Sequence, residues 1–190
     1  MTTTLIVTII LALAGYLVTY LNNLGLARRN EQLELVNKRI NEFYGPLLIA
    51  TQAGETAYTT LVKKLGRQSI LSGKAPPTGN ELLETPLPLS ESEMKKWRIW
   101  FREVFAPLNE YREKLVLANA YLIREEAIPP CLLQFMAHAS ACKTILKKWD
   151  ENDFSENRPT IDFPQDLSSY VATSYADLKS EQLRLIGKKK

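Results

Sequence analysis

Apolar residues follow two patterns along the chain: one unbroken run at the start, then positions spaced alternately three and four apart. From Leu5 to Leu21 every residue is Leu, Ile, Val, Ala, Thr, Tyr or Gly, and up to Ala27 only Asn22, Asn23 and Gly25 interrupt. About 20 residues at 1.5 Å rise cross a hydrocarbon core about 30 Å thick, so the run predicts a membrane-spanning helix over 1–27. A cleaved signal peptide would place basic residues ahead of the run and a small-x-small site behind it. Nothing basic precedes Leu5, and Ala12-Leu13-Ala14 lies inside the run.

The remainder, 28–190, reads as four amphipathic helices. Leu33, Val36, Ile40, Phe43, Leu47, Ala50, Gly54, Ala57 and Leu61 keep the three-four spacing that makes one seam along a helix. This first helix begins near Arg28, where direct continuation from the span is one option, and ends near Leu65-Gly66, with Lys63 and Lys64 at the negative end of its dipole. A loop over 66–89 comes next, punctuated by Gly73, Pro76, Pro77, Gly79, Pro86 and Pro88. Ser90-Glu91-Ser92-Glu93 is a capping box, with Leu89 and Met94 placed as a hydrophobic staple. The second seam is Met94, Trp97, Phe101, Val104, Leu108, Tyr111, Leu115, Ala118 and Leu122, and Pro129-Pro130 closes it. The third seam is Leu132, Phe135, Ala139, Cys142, Leu146 and Trp149. The fourth helix begins near Pro164, with Asp162 as a candidate cap, and carries Leu167, Val171, Ser174, Leu178 and Leu185 up to Gly187.

No segment alternates as a strand does. The expected fold is all-α: a transmembrane helix, then an antiparallel four-helix bundle with two long helices of about 35 residues and two nearer 20. Phe43-Tyr44-Gly45-Pro46-Leu47 and Val104-Phe105-Ala106-Pro107-Leu108 place two prolines in the same seam register. A proline inside a helix removes a backbone bond and crowds the preceding turn. Pro46 and Pro107 therefore either kink their helices or break them, and the sequence leaves both readings open.

Charge adds an orientation. All Lys, Arg, Asp and Glu lie in 28–190, and the chain carries a net charge of +3, too small to argue for a nucleic-acid partner. Arg28 and Arg29 follow the span directly, whereas only Met-Thr-Thr-Thr precedes it. The positive-inside rule places the N-terminus outside and 28–190 in the cytoplasm. Lys188, Lys189 and Lys190 end the fourth helix, which should return towards the bilayer. With Arg28 and Arg29 they would form a basic collar on anionic lipid. A solvated tail that only aids solubility is the plainer reading of 187–190.

Candidate chemistry is sparse. The single histidine, His138, reads as a packed or surface residue, and Cys142 as a small core residue. Cys131 and Cys142 lack zinc spacing, and one histidine excludes a di-iron helical site. No phosphate loop, Gly-x-Ser-x-Gly or His-Glu-x-x-His is present. Ser140-Ala141-Cys142-Lys143 matches Ser-x-x-Lys by letter alone. The expectation is therefore no catalytic residue, metal or cofactor. Trp100 falls off the second seam and is a candidate partner contact, or packs under the 66–89 loop. Thr8, Ala12, Gly15 and Thr19 form a small-residue face for packing within the membrane.

The Phe-Tyr-Gly-Pro-Leu element behind a lone N-terminal span resembles a pattern in uncharacterised bacterial single-span membrane proteins, over residues 1–65. The resemblance implies a bacterial inner-membrane setting and a helical cytoplasmic domain, and carries over no site residue. The leading expectation is a non-enzymatic interaction or regulatory module, tethered to lipid and bound to a protein partner or to itself. The alternatives are a defence- or toxin-type effector whose spans oligomerise to permeabilise the bilayer, and an enzyme of unrecognised class.

Overall fold

A computed structural model describes residues 2–67, 69–70 and 89–187. The described residues are helical without a strand, in four rods joined by turns and loops. The interior of the 66–89 loop and the Lys188-Lys189-Lys190 tail lie outside the described residues.

The first rod is α1 (Thr2–Lys38), a π-helical turn (Arg39–Tyr44) and α2 (Gly45–Lys64). Among the described side chains its apolar beginning is unpacked: every one from Ile9 to Leu26 is exposed. One helix is thus long and apolar enough to cross a membrane, and the apolar stretch within it is unburied. Burial begins at Leu33 and Val36, where the three-four seam starts. Gly66 adopts φ +67 and closes the rod as a left-handed cap. The Tyr58 hydroxyl holds the next segment by accepting the Ile70 backbone N–H at 3.1 Å.

The second rod is α3 (Glu91–Trp100), a second π-helical turn (Phe101–Phe105) and α4 (Ala106–Ala118). Its capping box forms: the Ser90 hydroxyl accepts the Glu93 N–H, and Glu93 accepts the Ser90 N–H at 2.7 Å. Hydrogen bonds from Arg67 and Ser90 hold the Glu93 carboxyl down at about 2. This rod is shorter than its apolar pattern predicts. Asn119 leaves helical geometry, its side chain donates to the Leu115 carbonyl, and a 3-10 turn (Ala120–Leu122) comes after it. Leu122 is nevertheless fully buried, so the pattern locates a core residue but not the helix end.

The third and fourth rods are α5 (Pro130–Asp150) and α6 (Leu167–Leu185). Asp162 does not cap α6. Its backbone carbonyl instead accepts the Gln134 amide, and Asp166 precedes the helix. The α5–α6 loop is held by indole donors: Trp97 Nε1 to the Asn157 carbonyl at 2.7 Å, and Trp149 Nε1 to the Glu156 carbonyl at 2.9 Å.

Neither proline interrupts its helical rod, and neither sits in a regular α-helix. Each comes just after a π turn, in which one inserted residue lets the chain bond five back instead of four. Gly45 N–H reaches the Ile40 carbonyl and Ala106 N–H reaches the Phe101 carbonyl, one position ahead of Pro46 and Pro107. The insertion draws away the carbonyl that the ring would strike and places proline where its missing N–H costs least.

α2 packs on α4 and α6, α4 on α5, α5 on α6, and α1 on α6. Two apolar clusters result. One centres on Phe43, Tyr44, Leu47, Leu132, Phe135 and Leu178, the other on Leu61, Trp97, Phe101, Ile145 and Trp149.

Candidate functional site

Polar side chains are buried where α2, α4 and α5 meet. Asn109, Arg112 and Glu113 project inward from α4, while His138 and Cys142 project from α5, one turn apart. Their burial results from the second π turn. A regular helix would carry the seam from Phe101 to Leu108, Tyr111 and Leu115, seven residues making nearly two turns. The inserted residue advances that face by one. Asn109, Arg112, Glu113 and Val116 are buried instead, and Tyr111 is 49% exposed.

Arg112 is the most demanding member. It is only 3% exposed. It donates to the Ala50 carbonyl at 2.6 Å and to Asn109 Oδ1 at 2.7 Å. No described carboxylate pairs with it, and the adjacent Glu113 pairs with Lys143. Its Nε is buried without a hydrogen-bond partner. Burial brings the guanidinium down to about 10, with Glu55 opposing the shift. The Phe135 and Phe163 rings lie 5.9 and 5.7 Å from its central carbon, within reach of cation–π attraction. Gly54 makes room for it: a Cβ there would collide with Nη2.

Asn109 links Arg112 to the thiol, with Nδ2 lying 3.4 Å from Cys142 Sγ. Sγ in turn lies 3.4 Å from His138 Nε2, and His138 Nδ1 lies 2.7 Å from the Ile161 carbonyl. The carbonyl requires a proton on Nδ1, which leaves Nε2 free to accept from the thiol. A cysteine, a base and an orienting amide are the residue types of a cysteine nucleophile. Their environment works the other way. Cys142 is 2% exposed, and burial pushes its thiol up to about 11. Burial, with the Arg112 charge adding to it, pulls His138 below its ordinary value. A neutral thiol facing a neutral imidazole is a packed polar contact, not an activated pair. No group of three or more potential metal ligands occurs among the described residues. Beside the cluster, Ala106, Pro107, Asn109, Ala139, Cys142 and Lys143 help to line a cleft of about 180 Å³.

The residues singled out by sequence are scattered. Pro46 and Pro107 sit behind matched π turns. Arg28 is exposed at the foot of the packed region, and Arg29 Nε donates to the Leu185 carbonyl at the end of α6. Gly187 lies beside the same guanidinium, so the described end of the chain returns to the foot of the first rod. The other proposed collar residues, Lys188, Lys189 and Lys190, lie outside the described residues. Trp100 is half-buried on the edge of the second apolar cluster, with its ring 6.4 Å from Phe105. Ala12, Gly15 and Thr19 are exposed along α1, and Thr19 Oγ1 donates to the Gly15 carbonyl. Thr8 lies on the same helix, and its side chain is outside the described residues. A three-four spacing misses Asn109 and Arg112 because it assumes an unbroken helix. The four-residue spacing of His138 and Cys142 is the one signal that could have joined them.

No family model, curated protein or solved structure matches the chain.

Proposed function

We propose that this chain is a non-enzymatic regulatory or interaction module, held at the cytoplasmic face of a bacterial inner membrane by residues 1–27. The observation that carries the reading is the contrast along the first rod: a bare apolar helix runs without interruption into a packed one. Side chains such as Ile10, Leu13, Leu17 and Leu21 meet no protein neighbour that would shield them. Apolar surface left in water costs about 25 cal/mol per Å², so an exposed helix of this length calls for lipid around it. Arg28 and Arg29 at its foot favour the cytoplasmic side for residues 28–190.

The pairings of α2 with α4, α4 with α5 and α6 with α1 suit an antiparallel four-helix bundle standing on that foot. Arg29 on the Leu185 carbonyl would bring the basic tail, residues 188–190, to the height of the anionic headgroups. The buried, neutral state of Cys142 and His138 supports a non-enzymatic reading over a catalytic one.

Paired carboxyl-terminal fusions test the orientation. A fluorescent protein that matures only in the cytoplasm should light up, and alkaline phosphatase, active only outside, should stay silent. Alkaline carbonate should leave the chain in the membrane pellet. Release into the supernatant, or phosphatase activity, overturns the tethering. Crosslinking in native membranes should then trap a discrete partner or a second copy. A chain that stays uncrosslinked overturns the interaction role. Depolarisation on overexpression, abolished by Gly15→Arg, would instead establish the permeabilising effector.

A further inference from the structure

The second rod encodes two core faces, and the π turn at Phe101–Phe105 decides which one is used. Trp97, Phe101, Val104, Leu108, Tyr111 and Leu115 form a continuous apolar stripe for an unbroken helix. The structure uses the other face beyond Phe101, burying Asn109, Arg112, Glu113 and Val116.

Opposing terms act on these two faces. Pro107 disfavours an unbroken helix and so favours the π turn. The face that the turn selects buries a guanidinium without a carboxylate and leaves its Nε without a partner, a penalty of similar size to the proline's. The other face holds the exposed Tyr111 and the half-buried Leu108 and Leu115, and would gain mainly by burying Tyr111 and completing the burial of the two leucines.

The two π turns differ in how firmly they are held. Phe43 and Tyr44 are both 0% exposed, so rotation at the first turn in either direction would expel a ring from the core. In the second turn only Phe101, at its start, is buried; Arg102 and Glu103 are exposed, like Asn41 and Glu42 of the first turn, and Val104 and Phe105, at the places of Phe43 and Tyr44, are only half-buried. Its outward tether is an exposed ion pair, Arg102 to Asp150 at 2.7 Å. The cleft lined by Ala106, Pro107, Asn109 and Cys142 lies directly against this turn, leaving side chains room to rearrange.

We propose that the Phe101–Phe105 turn is a gear. In a second state it reverts to α-helix, and α4 rotates by one residue, about 100°. Leu108, Tyr111 and Leu115 then take the places of Asn109, Arg112 and Val116, Arg112 moves to the place of Glu113, and Glu113 to the exposed place of Lys114. The rotation detaches Arg112 from Ala50 and Asn109 from Cys142, and so links the packing of α2 to that of α5. This device does not depend on the membrane anchor, and its test succeeds or fails separately from the tethering.

Thiol reporters with opposite expected responses test it. In the full chain carrying Cys131→Ala and Cys142→Ala, Glu113→Cys reports on a residue buried in the described register, and Tyr111→Cys on one exposed there. Maleimide labelling is timed in detergent micelles. With Pro107→Ala, Glu113→Cys should label at least tenfold faster and Tyr111→Cys at least tenfold slower. Deleting Glu103 in addition removes the surplus residue and should restore both reporters to their original pattern. With the native turn, Glu113→Cys should label about tenfold faster than in the doubly altered chain, because only the native turn exchanges. Unchanged rates with Pro107→Ala, both reporters accelerating together as α4 detaches, failure of the deletion to restore the pattern, or equal rates in native and doubly altered chains would each overturn the proposal.

Discussion

The two long rods carry the same local device in opposite surroundings. Each inserts one residue ahead of a proline, at Arg39–Tyr44 and at Phe101–Phe105. In the first, the widened turn carries two adjacent aromatics, Phe43 and Tyr44, and both are absorbed by the core. Arg39 donates to the Leu122 carbonyl at 3.1 Å, and the Tyr44 hydroxyl meets Tyr170 at 3.1 Å and the Arg124 N–H at 3.3 Å. In the second, the matching residues Val104 and Phe105 are only half-buried, and the residues the turn rotates inward are mostly polar. A π insertion is therefore neither stabilising nor destabilising in itself. Its consequence depends on which side chains the shifted register delivers to the interior.

Truncating the aligned residues of the two turns should separate them most. Phe43→Ala should lower unfolding stability by about 4 kcal/mol, because a fully buried ring leaves a cavity. Val104→Ala, at the matching position but half-buried, should cost about 1 kcal/mol. Urea melts of the two variants in one detergent check this. Similar losses would show that the second turn is as firmly packed as the first.

A smaller effect separates the buried charge from the space that admits it. Gly54→Ala places a methyl group where Arg112 Nη2 lies and should cost about 3 kcal/mol, by tearing the guanidinium from the Ala50 carbonyl without giving it water. Arg112→Met should be neutral or raise the melting temperature, since an apolar chain of similar length avoids the burial penalty. Combining the two should recover most of the Gly54→Ala loss. Additive losses would mean that Gly54 matters for something other than Arg112.

Most of the first rod is legible in the sequence because its seam survives its π turn. Val36, Ile40, Phe43, Leu47, Ala50, Gly54 and Leu61 are all buried as spaced. That rod meets neighbours on more than one side, so advancing the register by one adds Tyr44 and Thr51 to the core without expelling the seam. The second rod is legible only as far as Phe101. Beyond it the same spacing names Leu108, Tyr111 and Leu115, and the structure buries their neighbours. An inserted residue leaves no compositional mark, and proline alone does not say whether a helix bends, breaks or widens. The candidate site is hidden for the same reason, since Asn109 and Arg112 read as solvent-facing until the turn is known.

A milder effect comes from Tyr44→Phe, which keeps the ring and removes the hydroxyl. It should cost about 1 kcal/mol, because the Arg124 N–H and the Tyr170 hydroxyl lose a partner at the edge of the core. Burial raises Tyr44 above its ordinary value, so that hydroxyl is protonated throughout the neutral range and the loss should not vary with pH between about 6 and 8. Melts across that range check this, and a loss that grew with pH would mean that the hydroxyl ionises in the fold.

The smallest expected effect is a dependence on acid that arises where the third rod meets the second. Burial is the main reason that His138 sits below 6.5, and the Arg112 charge adds to it. The Ile161 carbonyl and Asp162 oppose the shift, and the Cys142 thiol facing the ring is neutral. The unfolded chain takes up a proton near 6.5, whereas the folded chain does so only at lower pH. Between those two values the unfolded state holds more protons, so stability should fall as pH drops from about 6.5 and level off once the folded imidazole is also charged. Urea midpoints at about pH 7 and about pH 5.5 should therefore differ more for the native chain than for His138→Asn. Part of the shift comes from Arg112, and the observed register is the one that holds Arg112 between Ala50 and Asn109. Pro107→Ala should therefore weaken the same dependence, and an acid response unaltered by that substitution would mean that α4 keeps its face whatever residue stands after the turn.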